Sequence, residues 1–260
     1  MTSAVRLEKQ GSIGWVIFDH EARRNALTLA MWQQIPDVVA QVEADDSIRV
    51  AVMRGAGEVA FVSGADISQF TEARMGDAAR QYDEANERAF VALSNIEKPL
   101  IAAVHGFCVG GGLAIAATAD LRYSADDGRF GIPAVKLGIG YSMEGIEKLS
   151  RIVGMSRAKE IMFTGRRFTA QEALAMGLIN GVFDKAELLT KVTELAQAIA
   201  DNAPLSVRSV KRCAIEIEKP VGSRDNAKAQ RGIDACFASE DYAEGVAAFL
   251  DKRAAKFSGR

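Results

Sequence analysis

The chain has 260 residues, 48% hydrophobic and 25% charged, with a net charge of −2. That length allows one large domain, or a domain with an appendage, of ordinary globular composition. The balanced charge argues against a general nucleic-acid binder, and no apolar run of about 18 residues suggests a membrane span.

The first 19 residues alternate strand-type residues with turn glycines and predict strands over 5–9 and 13–18 around Gly11. They lack a basic segment followed by an apolar one, so no signal peptide is expected, and a cytoplasmic location is. "HEARRNALT" reads as a polar loop ending on Thr28, an N-cap for a helix over 29–44 that Pro36 is expected to distort. Strands follow at 48–55 and 59–64, with Asp66 placed to cap a short helix. Residues 71–82 read as a mobile surface segment leading into a helix that ends near Ile96.

Pro99 introduces the buried strand "LIAAVHG", then three glycines, a helix over 111–118 and the strand "LRYSA". Residues 130–145 are rich in glycine and proline and read as loop. Helices are predicted at 144–153, 156–163 and 170–175, with a last strand at 178–183. The final 75 or so residues are helical by pattern, broken at Pro204 and Pro220. The fold class is therefore α/β with a helical tail. The tail's apolar faces, as in "YAEGVAAFL", must be buried on the core or on another subunit. The three cysteines, Cys108, Cys213 and Cys236, are far apart and read as reduced thiols. No structural zinc site or other metal is expected from them with His20 and His105.

Two stretches invite a chemical reading. In "FCVGGGLAIAATAD", Gly110, Gly111 and Gly112 stand between a strand and a helix, where backbone N–H groups are free and no Cβ shields them. Such a junction binds an anion or a developing oxyanion. It serves equally for tight helix–strand packing. In "AFVSGADI" a second strand ends in glycine before Ala65 and Asp66. Together the two junctions offer one N–H each to a single oxygen.

This pairing resembles the enoyl-CoA hydratase/isomerase, or crotonase, superfamily. The resemblance runs almost the whole chain, through "RRNALT", "AFVSGADI", "KPLIAAVHGFCVGGG", "FGIP", "LGIG", "RIVG", "FTGRRFTAQEALAMGLIN" and "EDYAEGVAAFLDKRAAKF". It implies a spiral of ββα units over 1–195. It also implies a helical region over 196–260 that builds homotrimers, often dimers of trimers. The implied substrate is an acyl-CoA thioester, with no cofactor beyond the coenzyme A of the substrate itself. By the same resemblance, the N–H groups of Ala65 and Gly111 form an oxyanion hole. Arg23, Arg24 and Ala26 line the CoA nucleotide, Asp66 and Ile67 continue its adenine and pantetheine wall, and Lys252 and Lys256 reach phosphates. For the two lysines, a solvated surface charge is the simpler reading.

Hydratases of this family use two glutamates, and the matching positions here are Ala114 and Ala134. Alanine can neither give nor take a proton, and water addition needs both a base and an acid. The remaining polar groups are on "GYSMEG". Tyr141 matches a tyrosine of the family's methylmalonyl-CoA decarboxylases, which keep an acid where this chain has Ala114. Glu144, in an apolar pocket, would have a raised pKa and shuttle a proton; as a residue of a helix N-terminus it would only complement the dipole. His105 reads as a hydrogen-bonded structural histidine, His20 as exposed, Asp120 as structural and Cys108 as a core residue. Three functional classes follow: an isomerase or lyase of acyl-CoAs, an acyl-CoA-binding protein without turnover, and an RNA-binding relative, the last disfavoured by charge.

Overall fold

The computed structural model of the chain describes residues 3–66 and 76–260. The expected hairpin forms from β1 (Ala4–Gln10) and β2 (Ile13–Asp19). It turns at Gly11, whose φ of 59° a side chain would resist. Thr28 caps α1 (Leu29–Ala44), its side chain accepting from the Met31 N–H. Pro36 lies inside this helix without ending it, although proline has no N–H for the carbonyl four residues back, that of Trp32.

The next strands come in pairs: β3 (Val50–Gly55) with β4 (Ala60–Val62), β5 (Leu100–Val104) with β6 (Phe107–Val109), and β7 (Leu121–Ala125) with β8 (Arg129–Gly131). The first member of each pair joins one sheet and the second joins another. Among the described residues the large sheet runs β1-β2-β3-β5-β7-β10 and the small one β4-β6-β8-β9, where β9 is Phe168–Thr169 and β10 is Gly181–Phe183. Between the strand pairs lie α2 (Gly76–Asn95) and α3 (Gly111–Ala116). This is the succession of ββα units that the resemblance implied.

Both faces of the large sheet are covered, which is why its inner strands are continuously apolar. Ala51 and Met53 of β3 face the main core, built with α1, α2 and the small sheet, while Val50 and Val52 face a second core. That second core is closed by α6 (Leu188–Ala200) through Leu188, Val192, Ala196 and Ala200. The expected division at 195/196 falls inside this helix, whose packing is continuous across it. Lys98 is fully buried and donates to the carbonyls of Val42 and Asp45 at 2.6 and 2.8 Å. It thus satisfies the end of α1, where a cation suits the helix dipole.

The segment after β8 is a 3₁₀ turn (Pro133–Leu137) and then α4 (Met143–Thr164), capped by Ser142. Gly154, at φ 77° and ψ 154°, breaks α4 near the gap expected between 153 and 156. α5 (Ala170–Ala175) starts in a capping box between Thr169 and Glu172. The last predicted strand is shorter than expected, because Leu178 and Ile179 enter the core from a turn before β10. The tail is helical as expected: α7 (Pro204–Glu218), α8 (Asn226–Phe237) and α9 (Glu240–Leu250). No helix of the described residues is long and apolar enough to cross a membrane.

α3 sits very close to β4. A Cβ placed on Gly112 would lie 2.0 Å from the Val62 carbonyl oxygen, with backbone on both sides of the contact. Neither partner can yield by a rotamer change. Gly112→Ala is expected to destabilise the chain by about 3 kcal/mol, read as a lower denaturant midpoint at unchanged m-value.

Candidate active site

The two glycine junctions identified in the sequence lie side by side. β4 pairs in parallel with β6, so their C-terminal ends emerge together. Gly64 (φ 117°) and Gly110 (φ 57°) turn the chain there, and a Cβ on Gly110 would lie 3.9 Å from the Gly64 Cα. One residue further on, a Cβ on Gly111 would lie 3.8 Å from the Ala65 nitrogen.

Hydrogen bonding decides which way these amides point. Leu27 N–H donates to the Gly64 carbonyl at 2.8 Å and Asp66 N–H donates to the Leu27 carbonyl at 2.9 Å. In such a parallel bridge the residue between, Ala65, turns its own N–H to the opposite side. Gly111 is the first residue of α3, where an N–H has no intrahelical acceptor. Among the described residues neither N–H has a hydrogen-bond acceptor. Two unpartnered donors from adjoining strand ends can serve one oxygen atom.

The loop before α1 is built by a residue that sequence reading passed over. Asn25, nearly fully buried at φ 56°, donates to the carbonyls of Ala56 and Ala60 and accepts from the His20 N–H. The His20 ring Nδ1 lies 2.8 Å from the Ala26 carbonyl oxygen, so His20 is half-buried and bonded rather than simply exposed. Asn25 therefore displays Arg23 and Arg24 on the surface and tucks Ala26 into the core. Ser63 ties the loop to the Ala65 strand end through the Arg23 and Arg24 carbonyls. The Arg24 guanidinium lies over the Phe107 ring at 4.9 Å, and that of Arg167 is 5.3 Å from the same ring. Among the described residues Arg23, Arg24 and Arg167 have no carboxylate partner. The signal in the sequence was the asparagine of "RRNAL", a residue type that tolerates positive φ.

Ala65, Ala134 and Tyr141 all pack against the main core, beside which Ala114 is half-buried. The Tyr141 ring leans over the start of α4, where a Cβ on Gly145 would lie 2.5 Å from its Cε1. Burial pushes its phenol up to about 12, so at neutral pH it is a neutral hydrogen-bond donor. Glu144, in contrast, is exposed in the first turn of α4, next to an exposed Ser142 and Met143. The described residues build no apolar pocket around Glu144, which stands in the first helical turn, where the dipole favours a carboxylate.

The other candidates separate cleanly. His105 is buried, with Nε2 3.3 Å from the Lys185 carbonyl oxygen, and burial holds its imidazole below the ordinary range. Cys108 is fully buried and burial pushes its thiol up, which removes it as a nucleophile. Asp120 accepts from the Leu100 N–H and pairs with Lys211, both at 2.7 Å, and so joins β5 to α7. Lys252 (φ 54°) and Lys256 are exposed after α9, which packs on α8, and no described contact brings them to Ala65 or Gly111. Ile67, the short helix that Asp66 was expected to cap and residues 71–75 of the expected surface segment lie outside the described residues.

Residues 8–260 match the family described as enoyl-CoA hydratase/isomerase. A short-chain-enoyl-CoA hydratase of Clostridium acetobutylicum is 35% identical over 254 residues, 96% of this chain and 95% of that protein. A carnitinyl-CoA dehydratase of Escherichia coli is 32% identical over the full length of both. Among solved structures, an enoyl-CoA hydratase/carnithine racemase from Magnetospirillum magneticum superposes with a TM-score of 0.93 at 34% identity, covering 100% of this chain and 97% of that one. An enoyl-CoA hydratase/isomerase family protein from Hyphomonas neptunium gives the same TM-score at 38% identity, covering 98% of each. On its sequence across nearly every residue, and on the fold that sequence adopts, the chain belongs to the enoyl-CoA hydratase/isomerase family.

Proposed function

We propose that this protein binds an acyl-CoA thioester with the thioester carbonyl oxygen between the N–H groups of Ala65 and Gly111. There it stabilises the enolate formed during lyase-type or isomerase-type chemistry, in preference to ordinary hydration. The observation that carries the reading is the pair of unpartnered backbone donors on adjoining glycine junctions. Donors fixed before reaction stabilise a developing oxyanion at no reorganisation cost, and one such donor contributes roughly 3–4 kcal/mol. Ala26, Asp66 and Ile67 would line the CoA arm, and Arg23 and Arg24, which have no carboxylate partner among the described residues, suit its phosphates.

The reaction class rests on what the residues can do with protons. Ala114 and Ala134 supply no acid or base. Tyr141 is neutral at physiological pH and its hydroxyl has no hydrogen-bond partner among the described residues. A neutral phenol can hold a carboxylate in place. Loss of CO2 from a 2-carboxyacyl thioester then needs no base: the C–CO2 bond breaks, its electron pair passes into the enolate, and a proton from solvent later completes the α-carbon. A lyase of this decarboxylating kind is the form best matched to Tyr141. Isomerisation through Glu144 requires that exposed carboxylate to be enclosed by another copy of the chain. Assembly as a trimer or a dimer of trimers is supported by large apolar side chains left exposed on the tail, such as Phe249 at 83% and Leu250 at 73%.

The reading is tested with a panel of crotonyl-, 3-enoyl- and 2-carboxyacyl-CoAs. Turnover is expected on a 2-carboxyacyl- or 3-enoyl-CoA, slow hydration at most on crotonyl-CoA, and a loss of at least about 10²- to 10³-fold in kcat in Gly111→Pro, which deletes the donor and also crowds Trp32. Tight binding of the whole panel without conversion would replace this reading with that of a binding protein. Tyr141 carries its own signature. The unfolded chain gives up this proton near pH 10 and the folded one near 12, so folding stability is lost as pH rises through that window. The loss should be smaller in Tyr141→Phe when denaturant midpoints are compared at pH 9 and 11. In sedimentation equilibrium the protein is expected as a trimer or hexamer, and a monomer at micromolar concentration would count against the role given to the tail.

A further inference from the structure

Both proposed donors are supported by the same short piece of α1 and the residue before its cap. Ala65 is held by Leu27, through the two bonds that fix Gly64 and Asp66 on either side of it. Gly111 is met, five residues further along, by Trp32. The rim of the indole lies where a side chain would begin, with Cζ2 3.3 Å and Cη2 3.7 Å from a Cβ built on Gly111. Trp32 is 1% exposed, and its ring is locked by donation from Nε1 to the Tyr82 hydroxyl at 2.9 Å and by Phe90 at 5.5 Å. Tyr82, also 1% exposed, belongs to α2.

Gly111 needs such a wall. It follows Gly110, whose φ of 57° and ψ of −120° lie outside the regions open to other residues, and it has no side chain to wedge it. On its far side Gly112 is pressed against the Val62 carbonyl. Between them, Val62 and Trp32 leave the Gly111 peptide little room. We propose that Trp32, locked by Tyr82, is a positioning residue that sets the spacing of the Gly111 and Ala65 N–H groups and so the polarising power of the site. The proposal rests on the reading of those groups as an oxyanion hole. Trp32 acts through Gly111 and touches no reacting atom. Its effect therefore falls on the hydrogen bonds to the carbonyl, which weaken steeply with misalignment, and not on the contacts that hold the CoA arm.

The test uses a conjugated dienoyl thioester, 2,4-hexadienoyl-CoA, whose absorption moves to longer wavelength when hydrogen bonds polarise its carbonyl. The difference spectrum is recorded on mixing, and the dissociation constant is measured separately by calorimetry. The wild-type protein is expected to give a clear red shift. In Tyr82→Phe and Trp32→Phe the shift at saturation is expected to fall to about half or less, while Kd changes by less than about threefold. If Tyr82 acts through Trp32, the double variant should match Trp32→Phe alone. Val39→Ala trims the same helix in the same core, seven residues on. It should lose stability and keep the full shift, which a purely structural role for Trp32 and Tyr82 would not distinguish from their own variants. A red shift that persists in both single variants overturns the positioning role and leaves the oxyanion reading standing. A wild-type protein that binds the probe without any shift, or does not bind it, overturns the oxyanion reading and this inference with it.

Discussion

The contact of Gly112 with the Val62 carbonyl is the constraint on which the site depends. A helix start approaches a strand end closely enough that no side chain fits between them. That approach brings the first N–H of α3 beside the N–H of Ala65, and the parallel pairing of β4 with β6 points both strand ends the same way. The ββα repeat supplies the rest. Each strand pair sends its first member into the large sheet and its second into the small one, so successive strand-to-helix junctions stack at one edge.

The two donors at this contact, Ala65 and Gly111, are backbone N–H groups without an acceptor among the described residues. Among the described residues, the Trp32 ring lies against Gly111 and Phe90 lies against Trp32. Buried ionisable groups elsewhere have structural partners. Lys98 ends α1, Arg122 donates to the Leu178 and Ala119 carbonyls, and Asp241 holds the C-terminal tail through the Ser258 and Gly259 N–H groups. Fixed backbone dipoles of this kind stabilise a developing negative charge without reorganising.

Much of the architecture was legible in the sequence because local signals agreed with the final packing. The β1–β2 hairpin follows from strand runs around Gly11, α1 from Thr28, and the α4 interruption from Gly154. Three readings needed tertiary information. Leu178 and Ile179 look like strand residues, but they are apolar because a turn inserts them into the core. The boundary between core and helical region was placed at 195/196, and only the packing shows that α6 closes the second face of the large sheet on both sides of that point. Glu144 was a candidate base by position, and only its exposure shows that the described residues build no apolar pocket around it.

By itself the sequence determined the family, the order of the elements and the two glycine junctions, since each depends on residue types at short spacing. Glycine beside a strand end announces that something comes close, but not what. Only the tertiary structure decided that the two junctions face each other, that Asn25 shapes the loop bearing Arg23 and Arg24, and that Trp32 stands behind Gly111 with Tyr82 holding its ring. Those contacts join residues dozens of positions apart in the chain. Their distances are set by how α1, α2 and the two sheets pack, and no local spacing encodes them.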